Sequence, residues 1–187
     1  HMAETVAGGR IDPRGTLRVT TSFRLGRKHI APTLSLLAQR YPELDITLDV
    51  VDRRVDLISE NIDLDVRVGD VEEPHLVAHR IAASSRILCA APSYLERRGV
   101  PANPAELSRH ECLVLRDRFQ AFGVWRVEGP NGTEKVKVTG RLSCNNSEIV
   151  RGWAIDGHGI LLTSEWDVHD DVRAGRLVPF MPAYAQH

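Results

Sequence analysis

The chain has 187 residues, 42% of them apolar and 26% charged, which is enough for one sizeable domain or for two small lobes sharing a cleft. Lys and Arg, 24 together, nearly balance the 25 Asp and Glu, so the formal charge is -1 and no bulk basic footprint for nucleic acid or an anionic membrane is visible. No run approaches the roughly 18 to 20 consecutive apolar residues of a membrane span, no basic-then-apolar signal opens the chain, and the three cysteines are spaced too widely for a disulfide framework or a zinc site. A reducing cytoplasm is the simplest assumption, with Cys89, Cys112 and Cys144 expected as small buried apolar side chains.

His1-Met2 reads as a cloning scar, and residues 3 to 14, short of large apolar side chains and carrying Gly8, Gly9 and Pro13, read as a linker. From Gly15 the pattern changes. Leu17 and Val19 alternate as a strand; Ile30, Leu34, Leu37 and Tyr41 recur at helix spacing, with Pro32 tolerated in the first turn and Pro42 ending the run. Ile46 to Val50 predicts a second strand, Val55 to Ile62 a short helix and Leu64 to Val68 a third strand. This βαβαβ order favours a parallel sheet with right-handed crossovers.

Leu76 to Ile81 and Arg86 to Ala91 read as extended, and Pro92 starts a helix through Tyr94 and Leu95. A short helix follows Pro104. Cys112 to Leu115, Val124 to Val127 and Val136 to Val138 are strand candidates, and Gly129-Pro130-Asn131-Gly132 makes the last two a hairpin. Leu142 to Cys144 is extended, Ile149 to Ile155 a helix, Gly159 to Leu162 a buried strand and Trp166 to Val172 a helix ending near Gly175. A second α/β unit therefore follows the first.

Eight histidines invite a metal, but His75 and His79 lie in an extended segment with no third ligand at a useful spacing. There is no serine elbow, no motif around a cysteine and no phosphate loop; Gly157-His158-Gly159 reads as a tight helix-to-strand turn. No metal, cofactor or catalytic set is expected. Two segments do resemble ligand-holding elements, because each follows a strand and opens a helix: Thr20-Thr21-Ser22-Phe23-Arg24 and Asn145-Asn146-Ser147-Glu148. Their amides and hydroxyls suit an anion at a positive helix end, although Ser147 or Asn146 serves equally as a plain N-cap. Ligands of open α/β sheets bind beyond the carboxyl ends of strands, so a cleft between two units is where such ends would meet.

An ordered series of segments resembles the effector-binding domain of LysR-type transcriptional regulators over residues 15 to 182. The series runs from Gly15 to Val19, Ile30-Ala31-Pro32 to Tyr41-Pro42-Glu43-Leu44, Val55 to Ile58 and Asp63 to Asp70. It continues in Arg86 to Leu95, Asn103 to Leu107, His110 to Leu113, Gly159 to Leu162 and Gly175 to Pro179. The resemblance implies an α/β fold of two Rossmann-like subdomains with an interlobe cleft, periplasmic-binding-protein-like (type 2), with subdomain I at 15 to 84, subdomain II at 85 to 182 and a tail at 183 to 187. It implies a small-molecule effector in the cleft, no catalysis, a homodimer in which the helix of residues 29 to 41 packs near residues 148 to 156 of another protomer, and a tetramer in the full-length protein. DNA would be bound only through a winged helix-turn-helix attached upstream of the linker, and a strand and helix returning to the first lobe are expected beyond His187.

Carried over by position, the effector pocket would use Thr21, Ser22, Phe23 and Arg24, then Asp52 and Arg53, then Gly69 and Asp70. The second lobe would add Arg116, Asn146, Ser147, Glu148 and Thr163. Ser22 and Asn146 carry most weight, and Arg24, Arg53 and Arg116 lean toward a small carboxylate as effector. Arg27 and Lys28 are expected on the solvated side of the helix start. Asp65, unusual on a central strand, is expected to pair with Arg67, and Ser164 to cap the following helix or add a pocket hydroxyl. The alternative of similar fold is a secreted solute-binding receptor of a transport system.

Overall fold

The computed structural model describes residues 12–69, 71–116 and 123–184. Strand β1 (Gly15–Thr21) is followed by a continuous helical run: one turn of α1 (Phe23–Leu25), a π-helical turn (Gly26–Ile30) and α2 (Ala31–Arg40). Ser22 is extended and its hydroxyl accepts from Leu25 N, while Pro32, expected in the first turn of a helix, instead follows the π-helical turn as the second residue of α2. Strand β2 (Leu44–Val50) and strand β3 (Leu64–Val66) flank β1 in a parallel sheet of order β2-β1-β3. The helix expected at Val55 to Ile62 is instead a series of turns. The Asp56 carboxylate accepts from Ile58 N and Ser59 N, Asn61 adopts φ 56°, and Ile58 is exposed, so local side-chain bonds take the place of the helix.

The stretch Leu76 to Ile81 is irregular and pairs with no strand among the described residues, and Val77 and Ile81 are exposed. Strand β4 (Arg86–Ala90) and α3 (Pro92–Arg98) then open the second lobe, followed by a 3-10 turn (Pro104–Arg109) and β5 (Val114–Leu115). Strands β6 (Val124–Gly129) and β7 (Gly132–Lys137) form the expected hairpin, closed by the Gly129 and Gly132 pair. Strand β8 (Ser143–Cys144) runs parallel to β5 and leads into α4 (Ser147–Ile155). Strand β9 (Leu161–Ser164), α5 (Glu165–Arg173) and β10 (Val178–Phe180) complete the lobe, with β4 central and antiparallel to both β9 and β10.

The core lies almost wholly in this second lobe. Leu88, Tyr94, Leu107, Val127 and Ile160 form one buried cluster; Cys89, Val150, Val168 and Leu177 form the other, between the sheet and the inner faces of α4 and α5. In the first lobe Val19, Thr20 and Thr21 of the central strand are buried, whereas no residue of α2 is. The turn between α4 and β9 has Gly157 at φ 85°, and His158 there is exposed, as a tight turn requires.

Candidate functional site

Both helix starts singled out in the sequence lie at the seam between the lobes. Ser22 and Asn146 are extended N-caps; Asn146 Oδ1 accepts from Glu148 N and Ile149 N, so each helix start has its own side-chain acceptor. The first amide of each helix, Phe23 N and Ser147 N, is not taken by these caps, and a single carboxylate takes both. Asp52, on the loop after β2, accepts from Phe23 N through Oδ1 at 3.0 Å and from Ser147 N through Oδ2 at 2.5 Å.

Arg24 crosses the same seam. Its side chain is only 8% exposed, and Nη1 donates to Glu148 Oε1 at 2.9 Å while Nη2 stands 4.0 Å from Asp171 Oδ2. Asp171, on α5 and 2% exposed, also accepts from Arg151 Nη1 and from Arg176 Nε, each at 2.9 Å. Burial acts to raise the Glu148 carboxyl, but the Arg24 hydrogen bond and the charges of Arg24, Arg151 and Arg27 outweigh it and hold the group below its usual range. Asp167 goes the other way. Burial raises its pKa to about 6, against the pull of Arg24 and with the repulsion of Asp52 and Glu148.

Among the described residues, four buried side-chain atoms have no hydrogen-bond partner in the protein: Arg24 Nε, Ser147 Oγ, Arg151 Nε and Asp167 Oδ1. All four residues belong to the Arg24 and Asp52 neighbourhood or to the charge network that meets it. Buried polar groups are normally satisfied, so such clustering marks a polar seam whose bonding capacity is incompletely used.

Seven of the residues proposed from the sequence therefore come together: Ser22, Phe23, Arg24, Asp52, Asn146, Ser147 and Glu148. Others are committed elsewhere. The Thr21 hydroxyl donates to Val66 O and ties β1 to β3; Arg53 makes a forked pair with Glu60 inside the first lobe. Arg116 is exposed and Thr163 lies opposite Ile87 on β9, and neither side chain bonds to the seven. Gly69 is exposed at φ 120°, and Asp70 lies outside the described residues. Asp65 pairs with Arg67 and accepts from the Thr20 hydroxyl at 2.7 Å, as its place beside an arginine predicts, and Ser164 caps α5 through Trp166 N.

Arg27 and Lys28 are exposed, as expected, but their contacts with the opposite lobe were not anticipated: Arg27 Nη2 lies 3.5 Å from Glu148 Oε2, and Lys28 Nζ lies 2.9 Å from Asp170 Oδ2. The sequence reading also missed Arg151, Asp167, Asp170 and Asp171. A signal was present, since α5 carries acidic side chains at 167, 170 and 171 that complement the basic 24, 27 and 28. The cleft is closed by these bonds, and two cavities are lined by other residues. One, of about 360 Å³, is ringed by Arg97, Arg98, Arg141 and His158 of the second lobe; one of about 180 Å³ is lined by Thr20, Asp49, Arg53 and Glu60 of the first lobe.

A family model described as the LysR substrate binding domain matches residues 10–184. This chain belongs to the LysR substrate-binding domain family. The HTH-type transcriptional regulator DmlR of Escherichia coli K12 is 44% identical over 186 residues, and the activator TtdR of the same strain is 45% identical; each alignment covers 100% of this chain, and 61% and 60% of the relatives respectively. The chain thus spans about three fifths of the curated relatives it matches. Among solved structures, CrgA of Neisseria meningitidis superposes with a TM-score of 0.75 at 26% identity, covering 94% of this chain and 59% of that one. Its isolated regulatory domain gives 0.73 at 25% identity over 93% of this chain and 84% of that one. The two lobes are accordingly the type 2 periplasmic-binding-protein-like arrangement of LysR regulatory domains, and this kinship with transcription regulators does not favour the solute-receptor alternative.

Proposed function

We propose that this domain senses a small-molecule effector between subdomain I (15 to 84) and subdomain II (85 to 182) and passes that state to a DNA-binding winged helix-turn-helix of a cytoplasmic regulator. The observation that carries this reading is the meeting of two capped helix starts, one from each lobe, around the buried guanidinium of Arg24. Such ends hold anions well, because unsatisfied N–H groups and helix dipoles point the same way. A ligand that prefers one lobe arrangement shifts the population toward it, so sensing needs no catalytic step, and we assign none. The favoured effector class is a small carboxylate. In the intact regulator the domain would act as a homodimer through α2 and the α4 region, within a tetramer.

Thermal-shift screening of small acids, amino acids and aromatic metabolites tests the reading, since a ligand of the native state raises the melting temperature by mass action. A carboxylate that stabilises the wild type but neither Asn146→Ala nor Ser22→Ala is the expected result. Stabilisation only by neutral or cationic compounds would rule out the carboxylate preference, and binding unaffected by both variants would place the effector elsewhere.

A further inference from the structure

Asp52 is bonded more fully across the seam than its place at a strand end requires. Both helix starts already have N-caps, Ser22 and Asn146, yet the first amide of each helix, Phe23 N and Ser147 N, is claimed by the two oxygens of this single carboxylate. Two donors on the residues that follow those amides or carry them have no partner among the described residues: Nε of Arg24, whose side chain is 8% exposed, and the hydroxyl of Ser147, whose oxygen is buried. A carboxylate bridging two lobes, next to unused donors, has the bonding pattern of a ligand.

We propose that Asp52 is a tethered stand-in for the carboxylate of the effector. It holds the seam shut by occupying the Phe23 and Ser147 amides, and a carboxylate effector acts by taking those amides from it. This rests on the effector-sensing reading above. Exchanging one carboxylate for another at the same two amides is nearly neutral in hydrogen bonding, so the incoming ligand gains its advantage from what Asp52 leaves unused. Arg24 Nε and Ser147 Oγ offer that advantage to a carboxylate carrying a second acceptor. Asp52, once displaced, belongs to a partly exposed loop and turns to solvent without leaving a buried charge.

The test uses acetate and formate as probes, with chloride at matched ionic strength as control, on the wild-type chain, Asp52→Ala and Asp52→Asn. Melting temperature and the backbone amide resonances of Phe23 and Ser147 are followed through each titration. Asp52→Ala is expected to melt below the wild type and to regain stability saturably with acetate or formate but not with chloride, both amides shifting together. The tether gives Asp52 an effective concentration of about millimolar or more, so the wild type should need at least about tenfold more acetate for the same shift. Should Asp52→Ala not fold, Asp52→Asn, which keeps the shape but offers only one acceptor, should show the same gain in acetate sensitivity. A folded variant whose Phe23 and Ser147 amides ignore acetate, or a wild type that titrates at the same concentration as the variants, overturns the proposal. The two readings fail separately. An effector that binds wild type and Asp52→Ala alike preserves sensing and removes the Asp52 role, whereas acetate rescue with no wild-type effector found does the reverse.

Discussion

Nη1 of Arg24, at the start of the first lobe's helix, donates to Oε1 of Glu148, in the first turn of α4, at 2.9 Å across the seam. The side chains are 8% and 24% exposed, so the pair is screened by water far less than a surface ion pair. Replacing Arg24 with Ala strips charge from a site where Glu148 and Asp171 both depend on it. The expected loss, about 2 to 3 kcal/mol in urea unfolding, sits below the cost of breaking a fully buried pair because Glu148 is partly solvated. Arg24→Lys should recover less than half of it, since an ammonium cannot fork between Glu148 and Asp171.

Asp167 makes the domain's stability fall as pH rises through the mildly acid range. Its folded pKa is raised from 3.8 to about 6, so its proton is held more tightly folded than unfolded. The corresponding stability is fully present below the unfolded value and is lost as pH rises through the folded one, a change on the order of 3 kcal/mol. Glu148 and Asp170 are shifted down and act oppositely, their contributions disappearing as pH falls into the carboxylate range. Melting temperature should therefore peak in mild acid. Asp167→Asn should flatten the neutral-side limb of that curve while leaving the acid limb; an unchanged neutral limb would mean that another group is responsible.

The thiols divide by burial. Cys89 and Cys112 are fully buried, and desolvation, aided by the charges of Asp171 and Glu111 respectively, pushes each up to about 12. Thiolate is the reactive form, so neither should alkylate in the native protein at mildly alkaline pH. Only Cys144, which is partly exposed, should be labelled by iodoacetamide before denaturation, and mass spectrometry of the peptides decides the matter.

Gly26 lets the helix of the first lobe approach its own sheet. A Cβ built there falls 2.7 Å from Val50 Cγ1 and 3.1 Å from Thr21 Cγ2, in the π turn immediately after Arg24 and Leu25. Gly26→Ala should cost about 1 to 3 kcal/mol, as overpacking does, and should weaken effector binding by moving Arg24. Calorimetry of unfolding checks the first effect. Loss of stability without any change in ligand affinity would separate the turn from the site.

Local pattern alone determined much of this protein. Alternation gave β1, β2 and β3, the Gly129 to Gly132 turn gave its hairpin, and Asn146 after a short strand marked a helix start, because these features arise between residues close in sequence. Val55 to Ile62 misled for the same reason: its apolar spacing resembled a helix, while the Asp56 side chain had nearer amides to bond. The tertiary structure decided which polar groups meet. Nothing local distinguishes Asp52 from any acidic loop residue, or Arg27 and Lys28 from a solvated basic tail, until folding brings residues 23, 52 and 147 to one carboxylate and residues 28 and 170 to one ion pair. Helix starts are written in short-range hydrogen bonds, but the charge that joins two lobes depends on distances across a hundred residues of chain, which sequence spacing does not encode.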